Sequence, residues 1–478
     1  MKVITRIYVY DDRLKNITPF SMKLAHFRNI LIIFIHKLKA YLNYYLTNES
    51  LLYSLLADKL NLSNTKDENK IEKLNELLSI IKSDNFLSEL LKSMKKVKGE
   101  IKNSYAIQSV IRQVCRDFKS YRKSYKEYEK NPNKFNGTPK SPKPKKLKNI
   151  DKFTIDLNRN SFKIKNKVLY LKLHNDNKIK VKLPEFALDL SSVRITYYLG
   201  FAYVDIVYDK HIKELKPSGE HKAGIDLGVE NLATIVSTNN IPSIVIKSSY
   251  LKAFNQWYNK SLAILKSEYD TTTDIKVKNN LKRKIMKLHL HRKKWMENMA
   301  HQVSKTISIF LHKTGHDTLY IGNNILEAKN GSNLSKKVNQ NFVQIPYRLF
   351  IDKLRYKLQW LGIELIEVDE SYTSKASCIS DDINEIQKKS KNNKKVSMSG
   401  DRITRSLFKD LKLNKVFHAD VNAGFNILKV GLKKNKLFDK LNSAVMSKLC
   451  NPIKYKLFEF CDLILSKKAT PELSLSGQ

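Results

Sequence analysis

The stretch AGIDLGVENLATIV, residues 223–236, decides the fold class of this chain. Alternation puts the apolar Ile225 and Leu227 on one face of a strand and the carboxylate of Asp226 on the other. The stretch therefore predicts a strand, a turn and a second strand. A carboxylate buried within a strand costs free energy unless a cation or a hydrogen-bond partner lies beside it. The glycines on both sides leave space for another backbone or a phosphate group to come close.

Strands and helices alternate through the sequence that follows. The predicted elements are helices at about 250–269 and 274–314, a strand at 317–322, a helix over 347–361, a strand at 363–368 and a helix at 419–428. This alternation predicts an α/β domain over residues 221–430. Within it, the stretch 384–401 is rich in Lys, Ser and Asn, so we expect a mobile loop there.

The sequence before this domain predicts two further regions. Alternation within residues 1–18 indicates a strand, and the pattern from Thr18-Pro19 to about residue 128 is helical. Strand-like segments between 151 and 210 predict an antiparallel β-barrel or sandwich. If the first strand belongs to it, the helical region is an insertion. The helices are predicted at about 50–60, 69–82, 85–97 and 104–127, and an earlier apolar helical face contains Leu24, Phe27, Ile30, Leu31, Phe34 and Leu38.

A basic, proline-rich connection separates the helical region from the β-region. Residues 131–148 contain four of the eleven prolines, which hold a chain extended, and several lysines. Four of these lysines are candidates for contacts with phosphate groups: Lys140, Lys143, Lys145 and Lys146. The composition fits a phosphate-contacting segment and a plain linker equally well.

The composition points to a polyanionic partner. The chain has 88 Lys and Arg against 46 Asp and Glu, a net charge of +42, and 42% hydrophobic residues, which excludes a wholly disordered protein. A generally basic proteome is the alternative. Lysines are spread along the chain rather than gathered beside an apolar anchor, so no membrane is expected as a partner. The four cysteines form no C-x-x-C pair and no signal peptide is recognisable, so we expect a reducing cytosol.

Two further carboxylates stand where α/β domains carry their sites. Glu370 follows the strand at 363–368, and Asp420 begins the helix at 419–428. Each has a structural explanation of its own, which for Asp420 is a helix cap. Together with Asp226 they would repel one another unless Mg²⁺ or Mn²⁺ neutralised them. Metal ions held between carboxylates and a phosphate activate water for phosphodiester hydrolysis, so the set indicates a nuclease.

Two groups of residues are candidates for nucleic-acid contacts. On the long helix at 274–314 they are Lys282, Arg283, Lys287, Arg292 and Lys293, for which a solvated helix face is the alternative. After Glu370 they are Tyr372, Ser374 and Lys375. His418 lies two residues before Asp420 and is expected to be structural.

Several motifs resemble those of the transposon-encoded TnpB proteins. They are GIDLGVENLATIV (224–236), GNN (322–324) with VNQNFVQIPYRLFIDKLRYKLQWLGIELIEVDESYTSKAS (338–377), SGDRITRSLF (399–408) and HADVNAGFNIL (418–428). The first resembles the family's first nuclease motif, the second group its second, and the last two the approach to its third. The resemblance is close over about 135–430 and covers the first 130 residues only in outline.

The resemblance implies an RNA-guided DNA endonuclease with a RuvC-like, RNase-H-type α/β nuclease domain. The family's Asp, Glu, Asp set falls on Asp226, Glu370 and Asp420, as catalytic residues and as ligands of Mg²⁺ or Mn²⁺. The β-domain is then a β-barrel wedge domain, and the helical insertion a recognition domain, within an α+β multidomain protein. Guide RNA and target DNA, both double- and single-stranded, are the expected partners. The expected location is a prokaryotic cytosol or nucleoid, and a monomer is favoured although the oligomeric state is open.

The implied domain boundaries divide the chain into five parts. They are the first wedge strand at 1–18, the recognition domain at 19–130, the connection and wedge barrel at 131–218, the nuclease domain at 219–435 with a helical insertion at 250–314, and a helical tail at 436–478.

The chain departs from the family pattern in the loop 376–418. Family members often carry a four-cysteine zinc ribbon there, whereas only Cys378 lies between Glu370 and Asp420, so no structural zinc is expected. We expect apolar packing to hold the loop instead, through Leu407, Phe408, Leu411, Leu413 and Phe417, either within the protein or against the bound nucleic acid. Ala423-Gly424 also stands where the family commonly has Gly-Ala.

Four other functions are compatible with parts of the sequence. GIDLG also begins actin-like and heat-shock ATPases, but no second Gly-rich phosphate loop follows here. A DDE transposase needs the order Asp, Asp, Glu, whereas the order here is Asp, Glu, Asp. A non-cleaving RNA-guided DNA-binding regulator and a miniature type V CRISPR effector stay open, the latter because genomic neighbourhood decides it.

Overall fold

The computed structural model divides the chain into two compact units, residues 1–211 and 212–478. The residues that it describes are 2–9, 24–25, 27–29, 31–32, 104–144, 152–174, 177–184, 189–198, 201–209, 216–322, 345–380, 383–392, 397–434, 437 and 442–465. The helices predicted at 50–60, 69–82 and 85–97 lie outside them. Among the described residues, no helix is long and apolar enough to span a membrane.

The first unit contains two antiparallel sheets and a long helix. Its elements are β1 Lys2–Val9, α1 Ser104–Lys130, β2 Lys152–Asn158, β3 Phe162–Lys165, β4 Val168–His174, β5 Asn177–Lys182, β6 Leu190–Tyr198 and β7 Phe201–Asp209. One sheet has the order β1-β7-β6-β2 and the other β3-β4-β5. Thus the strand from the beginning of the chain pairs antiparallel with β7, the last strand of this unit. The described strands belong to two sheets, and a closed barrel stays a prediction.

Period-two and period-3.6 patterns explain how this unit packs. On β2 the alternate residues Phe153, Ile155 and Leu157 are buried, and α1 packs against that strand. The buried side chains of α1 recur at helical spacing, at Ala106, Val110, Ile111, Val114 and Phe118. The opposite side of α1 is therefore left to its charged residues.

The second unit is an α/β domain around one six-stranded sheet. Its elements up to the end of that sheet are β8 His221–Leu227, β9 Asn231–Ser237, β10 Ile244–Lys247, α2 Ser249–Thr271, α3 Ile275–Lys313, β11 His316–Gly322, α4 Tyr347–Trp360 and β12 Glu364–Val368. The remaining elements are α5 Ile383–Lys391, β13 Gly400–Arg402, β14 Leu407–Asp410, β15 Lys415–His418, α6 Ala419–Leu432, α7 Ser443–Cys450, β16 Ile453–Lys456 and α8 Leu457–Leu465. The predicted helices and strands between 250 and 428 are all present.

The sheet brings three strand ends to one edge. Its order is β12-β11-β8-β9-β10-β16, with β9 antiparallel to β8 and with β11 and β12 running parallel to β8. The carboxyl ends of β8, β11 and β12 consequently meet. One face of the sheet packs on α3, α4 and α8, and the other on α6. Ile225 and Leu227 belong to the first core, as the alternation in the sequence predicts.

The prediction of a mobile loop over 384–401 is wrong at both ends. Residues Ile383–Lys391 form α5, and β13 begins at Gly400. Lysine is a good helix former, so a lysine-rich stretch does not exclude a helix. The apolar Ile383 and Ile386, one turn apart, bury against Ala376 and anchor α5.

Apolar packing in the small sheet β13-β14-β15 also differs from expectation. Phe408 and Phe417 are buried and their ring centroids lie 5.5 Å apart. Leu407, Leu411 and Leu413 are exposed, by 41%, 58% and 47%, so they do not pack within the protein, and their packing against bound nucleic acid stays a prediction. The reason is the strand period: Phe408 faces inward, which turns its neighbour Leu407 outward.

Candidate active site

The three predicted carboxylates line one cleft of the second unit. Asp226, Glu370 and Asp420 surround a cavity of about 810 Å³ at the edge where β8, β11 and β12 end. They come from sequence positions far apart, and the parallel arrangement of the strands gathers them. The same cleft contains the basic side chains of Lys247, Arg402, Arg405 and Lys454.

Asp226 lies near the end of β8, on the face covered by α6. In the sheet, Asp226 pairs with Thr234 of the neighbouring strand β9. Burial, and next the negative charges of Asp420 and Glu370, raise the pKa of Asp226 well above its usual range, while Arg402 acts against this shift. A cation between these groups would lower that pKa again.

Gly224 permits the contact between β8 and α6. A side-chain Cβ at this position would lie 2.6 Å from the carbonyl oxygen of Gly424. The glycines beside Asp226 predict that another backbone comes close to this strand. At Gly224 that backbone belongs to the helix α6. Gly424, from the Ala-Gly pair that departs from the family pattern, is the residue that makes it.

Glu370 follows β12, and its side chain lies beside the end of β11. Gly322, the last residue of β11, pairs with Val368, and a Cβ on Gly322 would lie 2.7 Å from Cδ of Glu370. The turn after Glu370 is closed by Thr373, whose backbone N–H and Oγ1 donate to the Glu370 carbonyl at 3.1 and 2.9 Å. Tyr372, within this turn, has a φ of +67°.

Asp420 lies in the first turn of α6, where the helix dipole favours a negative charge. Both of its carboxylate oxygens have donors. Asn231 Nδ2 donates to Oδ2 at 2.5 Å, and Arg402 donates to Oδ1 at 2.7 Å. The helix-cap alternative is therefore replaced by contacts with β9 and β13.

Arg402, Arg405 and Asn231 are the site residues that sequence reasoning did not single out. Arg405 pairs with Glu230 at 3.1 Å, and Arg402 donates to the Arg405 carbonyl as well as to Asp420. The available signal was the string SGDRITRSLF, which carries both arginines. For Asn231 the sequence offers no signal beyond its place after the turn that follows GIDLG.

The remaining predicted residues near Glu370 divide into two groups. Tyr372 and Ser374 line the cleft, whereas Lys375 is exposed and lies outside its lining. His418 also lines the cleft and is 6% exposed, and its Nδ1 has no hydrogen-bond partner among the described residues. Burial lowers the pKa of His418, although Asp420 acts against this, so its neutral form is favoured.

The ligand types of the cleft fit a hard divalent cation, but their present arrangement does not surround one. Three carboxylates supply oxygen donors of the kind that Mg²⁺ and Mn²⁺ prefer. In the described part of the chain, however, no group of three or more His, Cys, Asp or Glu residues stands ready to hold a metal ion. Arg402 and Asn231 occupy the oxygens of Asp420 instead.

The basic residues predicted on the long helix have different surroundings on α3. Lys282, Arg283 and Lys287 are exposed. Arg292 is half-buried, donates from Nε to Asn255 Oδ1 at 3.1 Å and lies 4.9 Å from the ring centre of Tyr258, so it joins α3 to α2. Lys293 is also half-buried. Contacts of these residues with nucleic acid stay a prediction.

The proline-rich connection is described only in part. Lys140 and Lys143 are exposed in an extended segment, and Lys145 and Lys146 lie outside the described residues. Phosphate contacts of these lysines also stay a prediction.

The first unit contains a second cavity, which we call the α1 groove. It has a volume of about 940 Å³ and is lined from α1 by Arg112, Arg116, Lys119, Arg122, Lys123 and Lys126, and from β6 by Arg194. The cations of α1 recur every three or four residues, which places them along one side of the helix over about 21 Å. In this groove, Arg122 Nε and Asn158 Oδ1 are buried and have no hydrogen-bond partner in the part of the unit that the structure describes.

Comparison with known proteins gives matches over most of the second unit. The family model OrfB_IS605, described as a probable transposase, matches residues 205–326, and the model of the Cas12f1-like TNB domain matches residues 347–427. The chain is 29% identical over 263 residues to the TnpB-like protein ORF457 of Acidianus two-tailed virus. These matches make the chain similar to TnpB proteins. The resemblance read from its motifs is thereby confirmed.

The match to the viral relative covers 51% of this chain and 50% of that protein, so it spans about half of each. Among solved structures, similarity is found to a Cas12f1–sgRNA–target DNA complex, with 15% identity, a TM-score of 0.31 and coverage of 89% of this chain and 98% of that one. A CRISPR-Cas12f ternary complex has 15% identity, a TM-score of 0.35 and coverage of 86% and 81%.

Proposed function

We propose that this protein is a TnpB-type RNA-guided DNA endonuclease that hydrolyses phosphodiester bonds of target DNA with Mg²⁺ or Mn²⁺. The observation that carries the proposal is the convergence of Asp226, Glu370 and Asp420 in one cleft beside four cationic side chains. Target choice would rest on base pairing with the guide, so the protein needs to recognise only shape and a short adjacent DNA motif. We propose a RuvC-like role for the second unit and a wedge and recognition role for the first.

Asp226, Glu370 and Asp420 would hold the metal ions. When bound, such ions activate water and stabilise the leaving oxygen of a phosphodiester. The residues themselves supply the anionic field: burial raises the pKa of Asp226 most, and the negative charges of Asp420 and Glu370 raise it further. Gly322 leaves the space that Glu370 occupies, and Asn231 fixes Oδ2 of Asp420.

The arginines of β13 and the following turn serve the same cleft. Arg402 neutralises Asp420, and Arg405 neutralises Glu230. A guanidinium released from a carboxylate by a metal ion is suited to bind a phosphate through two parallel hydrogen bonds. Arg402 is therefore proposed to bind the DNA phosphate once Asp420 has taken a cation.

Nucleic-acid binding is proposed to depend on the α1 groove and on the exposed cations of α3. The groove presents seven cationic side chains against the single carboxylate of Asp156. Its two unpartnered polar atoms, on Arg122 and Asn158, are suited to ligand contacts. Lys140 and Lys143, exposed in the extended segment after α1, are proposed to add phosphate contacts.

One observation favours the second candidate, a non-cleaving RNA-guided DNA-binding regulator. The Arg402–Asp420 ion pair of 2.7 Å satisfies a carboxylate that a nuclease would give to a metal ion. In a regulator, that pair would persist in the presence of Mg²⁺. Nucleic-acid binding would then be retained without any cutting of DNA.

The test begins with RNA that co-purifies with the protein. Sequencing is expected to find one discrete structured RNA, whereas heterogeneous degradation fragments would contradict guidance by RNA. The loaded protein is then incubated with matched DNA and Mg²⁺, with EDTA, and with EDTA followed by Mg²⁺. A nuclease is expected to cut the DNA with Mg²⁺, to stop cutting with EDTA and to cut again when Mg²⁺ is restored. A regulator is expected to bind the DNA without cutting it under all three conditions.

A further inference from the structure

Helix α6 carries three polar side chains that are fully buried. Asn422, Asn426 and Lys429 each have an exposure of 0%. Their spacing of four and three residues places them on one face of the helix. The same helix begins with Asp420, so this buried polar face is rigidly connected to one of the proposed metal ligands.

All three side chains bind the backbone of the segment 371–380. Asn422 Oδ1 accepts from the Cys378 N–H at 2.7 Å, and its Nδ2 donates to the Ala376 carbonyl at 2.9 Å. Asn426 Nδ2 donates to the carbonyls of Thr373 and Ala376 at 2.9 and 2.7 Å. Lys429 Nζ donates to the Cys378 carbonyl at 2.8 Å and to that of Ser380.

This segment begins directly after Glu370. The Thr373 carbonyl accepts a hydrogen bond from Asn426, and Thr373 itself donates two hydrogen bonds to the Glu370 carbonyl. Thr373 therefore connects α6 to Glu370. A second helix supports the same turn, because Gln387 Nε2 of α5 donates to the carbonyls of Asp369 and Ser371 at 2.9 and 2.8 Å.

Burial makes these contacts difficult to replace. An ammonium group removed from water is tolerated only when its donors are satisfied, and here backbone carbonyls of the segment satisfy those of Lys429. Removing Nζ would leave the carbonyls of Cys378 and Ser380 buried without that donor. Cys378 takes part through its backbone, while its own thiol is buried and has its pKa raised to about 12, mainly by that burial.

We propose that Asn422, Asn426 and Lys429 are positioning residues that fix Glu370 relative to Asp420. The inference rests on the proposed function, because it assigns these residues a purpose in holding two metal-ligating carboxylates together. They hold the segment by side-chain hydrogen bonds at the place where the family often has thiolates bound to zinc. None of the three is proposed to touch the metal ion or the DNA.

The test uses Lys429→Met, which removes the cation with little change in length, and Lys429→Arg, which keeps it. Lys434→Met is the matched control, because Lys434 follows the same helix and its side chain is exposed. Each full-length protein is measured in three ways. These are Mn²⁺ affinity by calorimetry, amide hydrogen exchange of residues 371–380, and the rate of cutting matched DNA.

Lys429→Met is expected to weaken Mn²⁺ binding and slow cutting by roughly 10- to 100-fold, the effect typical of residues that support metal ligands. Exchange of the Thr373, Ala376 and Cys378 amides should become faster, while guide-RNA binding stays at the wild-type level. Lys429→Arg should recover most of the loss, and Lys434→Met should match the wild type in all three measurements.

Two outcomes overturn the inference. One is wild-type Mn²⁺ affinity and segment exchange in Lys429→Met. The other is a loss of cutting that Lys429→Arg does not recover although its segment exchange is normal. If Lys429→Met does not fold, Asn422→Ala takes its place, because it frees the Cys378 N–H and the Ala376 carbonyl. A wild-type protein that binds Mn²⁺ but never cuts contradicts the proposed function alone, since the affinity and exchange measurements still decide the positioning role.

Discussion

The cleft of the second unit and the α1 groove of the first are similar in volume, about 810 and 940 Å³, but they differ in charge balance. The cleft has four carboxylates and four Lys or Arg side chains, whereas the groove has seven Lys or Arg side chains and one carboxylate. In the cleft, Arg402 and Arg405 form ion pairs with Asp420 and Glu230, whereas the excess of cations in the groove is suited to attract a polyanion. From this difference in charge balance we propose that chemistry and binding are carried by different parts of the chain.

The largest effect is expected from the carboxylates of the cleft. Asp226→Ala, Glu370→Ala and Asp420→Ala should each reduce cutting of matched DNA by more than about 100-fold, the upper end for residues that merely support a metal site. Binding of guide RNA and target should change little, because the cations of the groove are intact. Cleavage and filter-binding assays on the same preparations check this. Cutting at the wild-type rate by the Asp226 variant would show that the site is elsewhere.

A smaller loss is expected from Gly322→Ala. The added methyl group would lie 2.7 Å from Cδ of Glu370, so the carboxylate must move while its chemistry is unchanged. We expect cutting to slow by roughly 10- to 100-fold, as for displaced metal ligands, with normal RNA binding. The cleavage rate and the melting temperature are measured together. A normal rate in a stable variant would mean that Glu370 does not act from its present position.

The groove is tested by a pair of substitutions on α1. Lys126→Gln removes a lining cation, and Lys130→Gln removes one that lies one turn further on and outside the lining. A plot of the logarithm of RNA affinity against the logarithm of salt concentration has a negative slope. For Lys126→Gln this slope should become shallower by roughly 0.7 to 0.9, because one phosphate contact is lost. It should stay unchanged for Lys130→Gln. Equal slopes in both variants would contradict the assignment of binding to the groove.

The burial of Asp226, together with the repulsion from Asp420 and Glu370, predicts a dependence of stability on pH. The folded protein raises the pKa of Asp226, so it binds this proton more tightly than the unfolded chain does. The contribution of Asp226 to the free energy of unfolding is therefore largest below the usual Asp pKa. It is lost as the pH rises through the pKa that Asp226 has in the folded protein. Asp226→Asn should raise the melting temperature of the metal-free protein at about pH 8 but not at about pH 4, near the usual Asp pKa. Differential scanning calorimetry measures both, and added Mg²⁺ should stabilise the wild type only.

The smallest effect is expected from Cys378→Ser. The thiol is buried with 1% exposure, so the hydroxyl should cost about 1 to 3 kcal/mol of unfolding free energy, as an unpaired buried polar group does. Cutting should be retained, because no zinc ion is expected to depend on this sulfur. Elemental analysis of the wild type checks the second point. Stoichiometric zinc together with loss of fold in the variant would show a metal site in this region.

The part of the second unit from β8 to β12, together with α6, was predictable because these elements have local signals. Alternation around Asp226, the helical face ending at Gly362 and the apolar strand before Glu370 all correspond to elements of the structure. The parallel pairing of β8, β11 and β12 then follows from the alternation of strands and helices, and it gathers the carboxylates.

The other features of the site depend on contacts between residues that are distant in the sequence. A local sequence pattern does not encode such contacts. Arg402 reaches Asp420 only because β13 lies beside the start of α6, and Asn231 reaches it across 189 positions. The polar face of Asn422, Asn426 and Lys429 looks like a surface in the sequence, although it is buried. Lysine content suggested a loop at 384–401, where two isoleucines were enough to anchor a helix.

The central claim, that cutting and binding belong to separate regions, is tested most directly by a double dissociation. Asp226→Ala in the cleft and the double variant Arg116→Gln, Arg122→Gln in the groove are each compared with the wild type. Both the affinity for guide RNA and the single-turnover cutting rate at saturating complex are measured. We predict normal affinity without cutting for the first, and weakened affinity with a near-normal cutting rate for the second. Loss of both properties in either variant would contradict the account.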